Sequence, residues 1–385
     1  MKRFTVVLGA LAIQLCLGAI YAWSVFVNPL KELGFTTTQT QIIFSVALAT
    51  FAIVMIFAGR WQDKAGPRKV AITGGAVLGL AYMLAGITGG SFISLVLTIG
   101  IIGGAGIGLT YVCPIAACVK WFPDHKGMIT GLAVAGFGGG AWIFAQLSSS
   151  LIAAAGVLNT FLILGVIFLA VVTLGSLALV NPPKTRNKTA ADSNSDMTWK
   201  QILRTRRFWF LWLMFTFGAS AGLLVIGNLK PFGIFSGMTP AIAGSAVGIL
   251  ALFNAAGRII WGTISDRLGR SRAMFLMFLF QGIMMLILMK MGANSLLLGI
   301  AAAWVGFNFG GNFALFPSAT ADFFGTKHLG INYGLVFTSY GVAGIIGPIL
   351  GGRAFDLTGN YLYAFVPAGV LCLIAAALSL FTENR

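Results

Sequence analysis

Apolar residues in this chain come in long unbroken runs, separated by short polar breaks. The runs fall at 5–27, 41–60, 70–89, 92–118, 127–155, 158–180, 208–230, 241–264, 273–292, 295–321, 330–352 and 360–381. Each is close to the length that a helix needs to cross roughly 30 Å of hydrocarbon, a span of some ~20 residues. A transmembrane barrel strand would alternate apolar and polar positions over ~10 residues, and these runs do not alternate. The pattern predicts an all-α membrane protein of twelve transmembrane helices. The opening MKRFTVVLGALAIQL has the charged head and apolar body of a leader. No small-residue cleavage site follows and the apolar run continues to Val27, so it reads as the first span.

Composition agrees with the pattern. Of 385 residues 58% are hydrophobic and 9% charged, against about 25% charged in soluble chains. The formal charge of +16 raises the question of nucleic acid, and the placement of the cations answers it. If both termini are cytoplasmic, twenty of the 25 Lys and Arg lie on the inner side, four on the outer, and Arg258 within a span. That is the bias that orients a membrane chain. It predicts a multi-pass protein of a cell membrane, such as the bacterial inner membrane, with lipid and not nucleic acid around it. Cys16, Cys113, Cys118 and Cys372 all fall in spans without metal-ligand spacing, so packing is expected of them and neither a disulfide, a metal nor a cofactor.

The longest polar stretch, NPPKTRNKTAADSNSDMTWKQILRTRR at 181–207, reads as a cytoplasmic linker. It divides the chain into a six-helix bundle over 1–181, a linker over 182–207 and a second six-helix bundle over 208–385. A shift of 203 residues superposes the two halves. Gly59, Asp63 and Gly66 of GRWQDKAGPRK then fall on Gly262, Asp266 and Gly269 of GTISDRLGRSR, and Gly103, Gly108, Pro114, Gly127, Gly131 and Gly138 find their counterparts at the same offset. Duplicated halves related by an axis along the membrane normal imply a two-bundle transporter with its substrate at the repeat interface.

The GxxxDxxG pattern with following cations, present after spans 2 and 8, resembles the signature of the major facilitator superfamily. Its glycines let helix ends approach, and its aspartate sits where helix dipoles and cations can hold it. Asp63 with Arg68, and Asp266 with Arg270, are accordingly expected to form conformational latches. Finer resemblance comes from GAIYAWSVFVNPL (18–30), KWFPDHKG (120–127), FNAAGRIIWG (253–262), NFALFPSATADFFG (312–325) and INYGLVF (331–337). Together these are similar to the oxalate/formate antiporter and monocarboxylate transporter branch. The resemblance implies that Arg258 pairs with the substrate carboxylate.

The residues around Arg258 fit that role. Arginine within a span marks a pathway more often than it merely snorkels, and its planar fork matches a carboxylate while keeping its charge. The nine acidic residues all lie in loops, at span ends or in the tail, so the substrate is the natural counter-ion. Asn254 lies one turn earlier on the same face, where the resemblance implies an aspartate that handles the proton in animal monocarboxylate carriers. Tyr340 stands where oxalate carriers have a lysine. One cation matches a monoanion, and a dianion would leave a charge uncompensated at a cost of several kcal/mol. By the same resemblance Ile20 and Tyr21 in span 1, Tyr111 in span 4, Phe137 in span 5, Phe309 and Phe313 in span 10, and Phe337 with Tyr340 in span 11 line the substrate site. Apolar ring faces and phenol hydroxyls suit a small hydroxy or keto acid.

The glycine runs GIIGGAGIG (100–108) and GFGGGA (136–141) lie inside spans with no preceding strand, so they read as helix packing and not as phosphate loops. His125 and His328 fall in loops. The expected protein is a secondary transporter, not an enzyme, acting as a monomer by alternating access on a monocarboxylate such as lactate, pyruvate or formate together with a proton. The alternative is an oxalate/formate or other carboxylate antiporter. A channel would need a polar line along its spans and a sensor an appended domain, and neither is visible.

Overall fold

The computed structural model describes residues 2–35, 37–88, 90–182 and 196–382. Half of the expected linker, 183–195, lies outside the described residues. Helix α1 (Lys2–Gly18) passes through a 3-10 turn, Ala19–Ala22, into α2 (Ser24–Glu32). Then come α3 (Thr37–Ala65), α4 (Pro67–Thr88) and α5 (Phe92–Leu95), the last continuing as a π-helical stretch, Val96–Gly103, into α6 (Gly104–Trp121). Next are α7 (Lys126–Leu177), the short α8 (Trp199–Ile202), α9 (Arg206–Phe235) and α10 (Pro240–Leu268). The last four are α11 (Arg270–Met291), α12 (Ser295–Phe324), α13 (Leu329–Thr358) and α14 (Leu362–Leu380).

Among the described residues, eleven helical stretches are long and apolar enough to cross a membrane, one of them 55 residues long. That one is broken at Gly156, whose φ of 80° and ψ of 168° lie outside the helical region. A side chain at such a φ is strained, whereas glycine adopts it freely. The break falls in the gap between the predicted runs 127–155 and 158–180, so the stretch supplies two spans and the total is twelve. Large apolar side chains such as Phe57, Ile87, Leu252 and Leu296 point outward, as lipid-facing positions require.

Local sequence sets the ends and bends. Thr205 accepts from the Phe208 N–H at 3.2 Å and opens α9, and Thr239 accepts from Ile242 at 3.4 Å, with Pro240 as the first residue of α10. Both are N-caps that satisfy otherwise unbonded helix donors. Gly66 and Gly269, paired by the 203-residue shift, take φ of 86° and 83°. Each turns one helix into the next within a single residue, which explains the second glycine of the repeated motif. Pro114 in α6 and Pro317 in α12 are paired by the same shift. Each removes one helical N–H, leaving the carbonyls of Thr110 and Phe313 without their usual donors.

Two departures from regular helix were not expected. The first span was read as continuous over 5–27, yet it tightens at Ala19–Ala22. Gly18 abuts the Phe137 carbonyl there, so close that no Cβ would fit. The fourth span widens to π geometry over Val96–Gly103, which runs into the start of the glycine run. Both irregular turns sit inside spans, where tight or wide turns often mark functional positions.

The chain forms two compact units. One comprises Met1–Pro123, Ala133–Trp199 and Phe324–Leu335, and the other Asp124–Leu132, Lys200–Phe323 and Val336–Arg385. The first is built chiefly on α3, α4 and α6, with Val112, Ile115, Val119 and Phe161 buried in its interior. The second centres on α14 packed against α9 and α11, around Leu224, Phe232, Met285, Leu298, Phe365 and Cys372.

Candidate functional site

In the second unit Arg258 is wholly buried on α10. Its Nε donates to Oδ1 of Asn254, one turn earlier, at 3.0 Å. Its guanidinium carbon lies 4.5 Å from the centroid of the Phe313 ring, a cation–π distance. Phe313 in turn meets Phe309 edge to face at 5.2 Å and Tyr340 at 5.4 Å, and Tyr340 stands 5.0 Å from Phe337. All six residues expected in this half of the site are therefore brought together: an arginine fixed at its Nε, an amide, and four aromatic rings.

Close backbone approach makes this assembly possible. Gly310 on α12 abuts the Asn254 carbonyl, and Gly131 on α7 abuts that of Arg258 itself. Phe215 on α9 was missed by sequence reasoning, although its ring centroid lies 6.0 Å from that of Phe313 and 5.9 Å from that of Phe337. One of 32 phenylalanines in an apolar run carries no signal of its own.

In the first unit Tyr21 meets Phe137 edge to face at 5.0 Å, and Phe137 meets Tyr111 at 5.6 Å. Ile20 is buried in the same 3-10 turn as Tyr21. Two further residues join this cluster without having been foreseen. Phe51 lies 5.1 Å from Tyr111, and Gln14 donates through Nε2 to the Tyr111 carbonyl at 3.2 Å.

The two repeated aspartates do closely similar things. Asp63 accepts the backbone N–H groups of Gly330 and Ile331, both at 3.0 Å. Asp266 accepts those of Gly127 and Met128 at 2.8 and 2.7 Å. The acceptors and the donors are both related by 203 residues, so a sequence repeat has become a repeated set of hydrogen bonds. Each carboxylate covers the first turn of a helix, α13 in one case and α7 in the other, where the dipole favours negative charge. The first glycine of each motif lets the backbones meet: Gly59 against Gly330, and Gly262 against Gly127.

The clasps differ in their cations. Arg270 bonds Asp266 at 2.8 Å and Asp322 at 2.6 Å, and Asp322 also holds Lys126 at 2.5 Å. The shift places Pro67 where Arg270 stands, and Arg68 is exposed and joins no ion pair among the described residues. The turn that carries Gly330 is tied down from another direction. Met197 N–H bonds the Phe324 carbonyl at 2.9 Å, Lys327 N–H bonds Asp196 at 3.1 Å, and Asn332 bonds the Met197 carbonyl at 2.9 Å.

The sequence matches the family model described as Major Facilitator Superfamily over residues 8–232 and 229–385. The chain belongs to that superfamily. It is 30% identical to the oxalate:formate antiporter of Oxalobacter formigenes over 100% of this chain and 92% of that protein. It is 30% identical to the uncharacterized MFS-type transporter YhjX of Escherichia coli, over 89% and 86%, and 27% identical to the rat monocarboxylate transporter 13, over 87% and 78%. Among solved structures it is similar to the transporter FucP in its outward conformation, with a TM-score of 0.76, 16% identity and full coverage of both chains. That likeness concerns the fold. The fold is the major facilitator fold, and the relatives are transporters, several of them named for carboxylates.

Proposed function

We propose that this protein is a secondary active transporter of small monocarboxylates such as lactate or pyruvate, moved together with a proton by alternating access. The observation that carries the reading is the buried Arg258, fixed at Nε by Asn254 and stacked on Phe313. A guanidinium matches a carboxylate through paired N–H donors, and the rings of Phe309, Phe313, Phe337 and Tyr340 suit the short apolar remainder of such an acid. Tyr21, Ile20, Tyr111 and Phe137 are proposed as further substrate contacts, their ring faces and phenol hydroxyls suiting the same class of acid. The names of the relatives support a carboxylate, since they include an oxalate:formate antiporter, a monocarboxylate transporter and, in Toxoplasma gondii, an apicoplast pyruvate carrier.

Charge selects within that class. Arg258 is the one cation inside a predicted span core, and no carboxylate accompanies it there. A monoanion balances it. Exchange of oxalate for formate is the second reading, favoured by the full-length similarity to an oxalate:formate antiporter.

The clasps at Asp63 and Asp266 hold one conformation of the cycle and must release for the other. The two bundles, 1–181 and 208–385, are the bodies whose rearrangement the clasps restrain. The cation bias places both termini and the clasps on the cytoplasmic side of a bacterial inner membrane, and the monomer is the working unit. Uptake of radiolabelled lactate and oxalate into proteoliposomes, with and without an imposed pH gradient, tests the reading. Lactate accumulation driven by a pH gradient is expected. Uptake of neither acid would overturn it, and oxalate uptake indifferent to pH would select the exchanger.

A further inference from the structure

Trp261 and Asn308 belong neither to the arginine cluster nor to the clasps, yet they join the two helices that carry Arg258 and Phe313. The indole Nε1 of Trp261 on α10 donates to Oδ1 of Asn308 on α12 at 3.1 Å, and both side chains are buried. Trp261 follows Arg258 by one turn. Asn308 precedes Phe313 by five positions, which at 3.6 residues per turn puts the two side chains about 140° apart round α12. Helix α10 thus grips α12 on two different faces, with the guanidinium on Phe313 and the indole on Asn308.

Beside these two arms the helices touch through backbone. Gly257 abuts the Phe307 carbonyl, Gly306 that of Leu250 and Gly310 that of Asn254. Gly311 leaves room for the indole, since a Cβ there would lie 2.7 Å from Trp261. Glycine-to-backbone contacts bring helices close but resist sliding only weakly, because they present a smooth surface. A hydrogen bond does resist it. A one-residue slip moves a helix by about 1.5 Å, enough to break a bond that weakens beyond ~3.2 Å.

We infer that the Trp261–Asn308 bond sets the register of α12 on α10 and thereby fixes Phe313 against the Arg258 guanidinium, making Trp261 and Asn308 positioning residues for carboxylate capture. The inference rests on the proposed role of Arg258. A slipped α12 would still pack and could still move through the cycle, but Arg258 would meet its ligand in a less ordered geometry. Affinity should suffer more than the maximal rate.

The test uses the full chain in proteoliposomes with radiolabelled lactate. Trp261→Phe keeps an aromatic ring and removes the donor, Asn308→Leu removes the acceptor, and Asn308→Asp retains one. Each of the first two should raise KM for lactate about five- to tenfold, the range expected for a buried hydrogen bond, with a smaller fall in Vmax. The double variant should be no worse than the worse single one, and Asn308→Asp should recover most of the affinity. A KM within twofold of the parent for both single variants, additive effects, or a fall in Vmax and unfolding temperature at unchanged KM would each overturn the inference. Where Trp261→Phe does not fold, the comparison of Asn308→Leu with Asn308→Asp decides. Arg258→Ala in the same assay separates the two levels. Retained uptake there sinks the proposed function itself, whereas lost uptake beside a normal KM in Trp261→Phe sinks only the register inference.

Discussion

Arg258 holds its guanidinium 4.5 Å from the ring centroid of Phe313 while its Nε is bonded to Asn254 at 3.0 Å. One edge of the side chain is thus fixed by protein, and the guanidinium lies over the Phe313 ring. A lysine keeps the charge but has neither the fork nor the face. Arg258→Lys should therefore lower lactate affinity about 10- to 100-fold, as the loss of one charge-assisted hydrogen bond predicts, and Arg258→Ala should abolish uptake. Near-normal uptake by the alanine variant at equal membrane abundance would show that the carboxylate binds elsewhere.

Tyr340 meets Phe313 edge to face and Phe337 at a tilt, with centroids 5.4 and 5.0 Å away. It sits in the same aromatic group as the arginine. A second cation there would supply the charge a dianion needs and overcompensate a monoanion. Tyr340→Lys should shift the ratio of oxalate to lactate binding toward oxalate by about tenfold or more, given the several kcal/mol at stake for an uncompensated charge. Competition of each unlabelled acid against bound radiolabel measures it, and an unchanged ratio would mean that position 340 does not meet substrate.

The spans were legible because a membrane enforces continuous apolarity, and even the break at Gly156 fell in the two-residue gap between two runs of the pattern. Arg258 and the repeated aspartates were legible for the opposite reason, as polar groups whose cost in that setting demands a partner. The sequence could not show which helix termini the aspartates would reach, since Asp63 and Gly330 are 267 positions apart. Nor could it single out Phe215, Phe51 or Trp261, because aromatic residues on an apolar span look alike until packing is known. The 3-10 turn at Ala19–Ala22 follows Gly18, which meets the carbonyl of Phe137 on another helix. A local reading of AIYA contains no sign of that neighbour.

The two clasps should respond unequally to the same change. Asp266→Asn keeps one of the two acceptor oxygens that hold Gly127 and Met128 and loses the ion pair to Arg270 at 2.8 Å, whereas Asp63→Asn keeps one of the two that hold Gly330 and Ile331 and loses the charge attraction of Lys120 and His328. A charge-assisted bond is worth about 1.5–3 kcal/mol. Thermal unfolding of the purified protein should show Asp266→Asn as the more destabilised, and both should transport more slowly if the clasps hold a state of the cycle. Gly59→Ala and Gly262→Ala should mimic them, because a Cβ at either position collides with the facing glycine backbone. Equal stability of all four variants with the parent would remove the clasps from the account.

Proton coupling is the hardest property to locate, because an amide, Asn254, and not an acid lies one turn from Arg258, and every acidic residue lies in a predicted loop, at a span end or in the tail. The proposed route is that the proton crosses with the substrate, as the carboxylic acid or on a water beside it, and not on a side chain of the carrier. Such a transporter should accumulate lactate when the outside is acidified and dissipate the gradient at one proton per lactate. It should do so with Asp63, Asp266, His125 and His328 each replaced, provided the variant still folds, because none of these groups carries the proton. Two assays on each variant make the distinction: exchange of internal for external lactate, which needs no net proton movement, and accumulation against a gradient, which does. Intact exchange with lost accumulation in any one of them would identify that residue as the carrier and end the account in which the substrate bears its own proton.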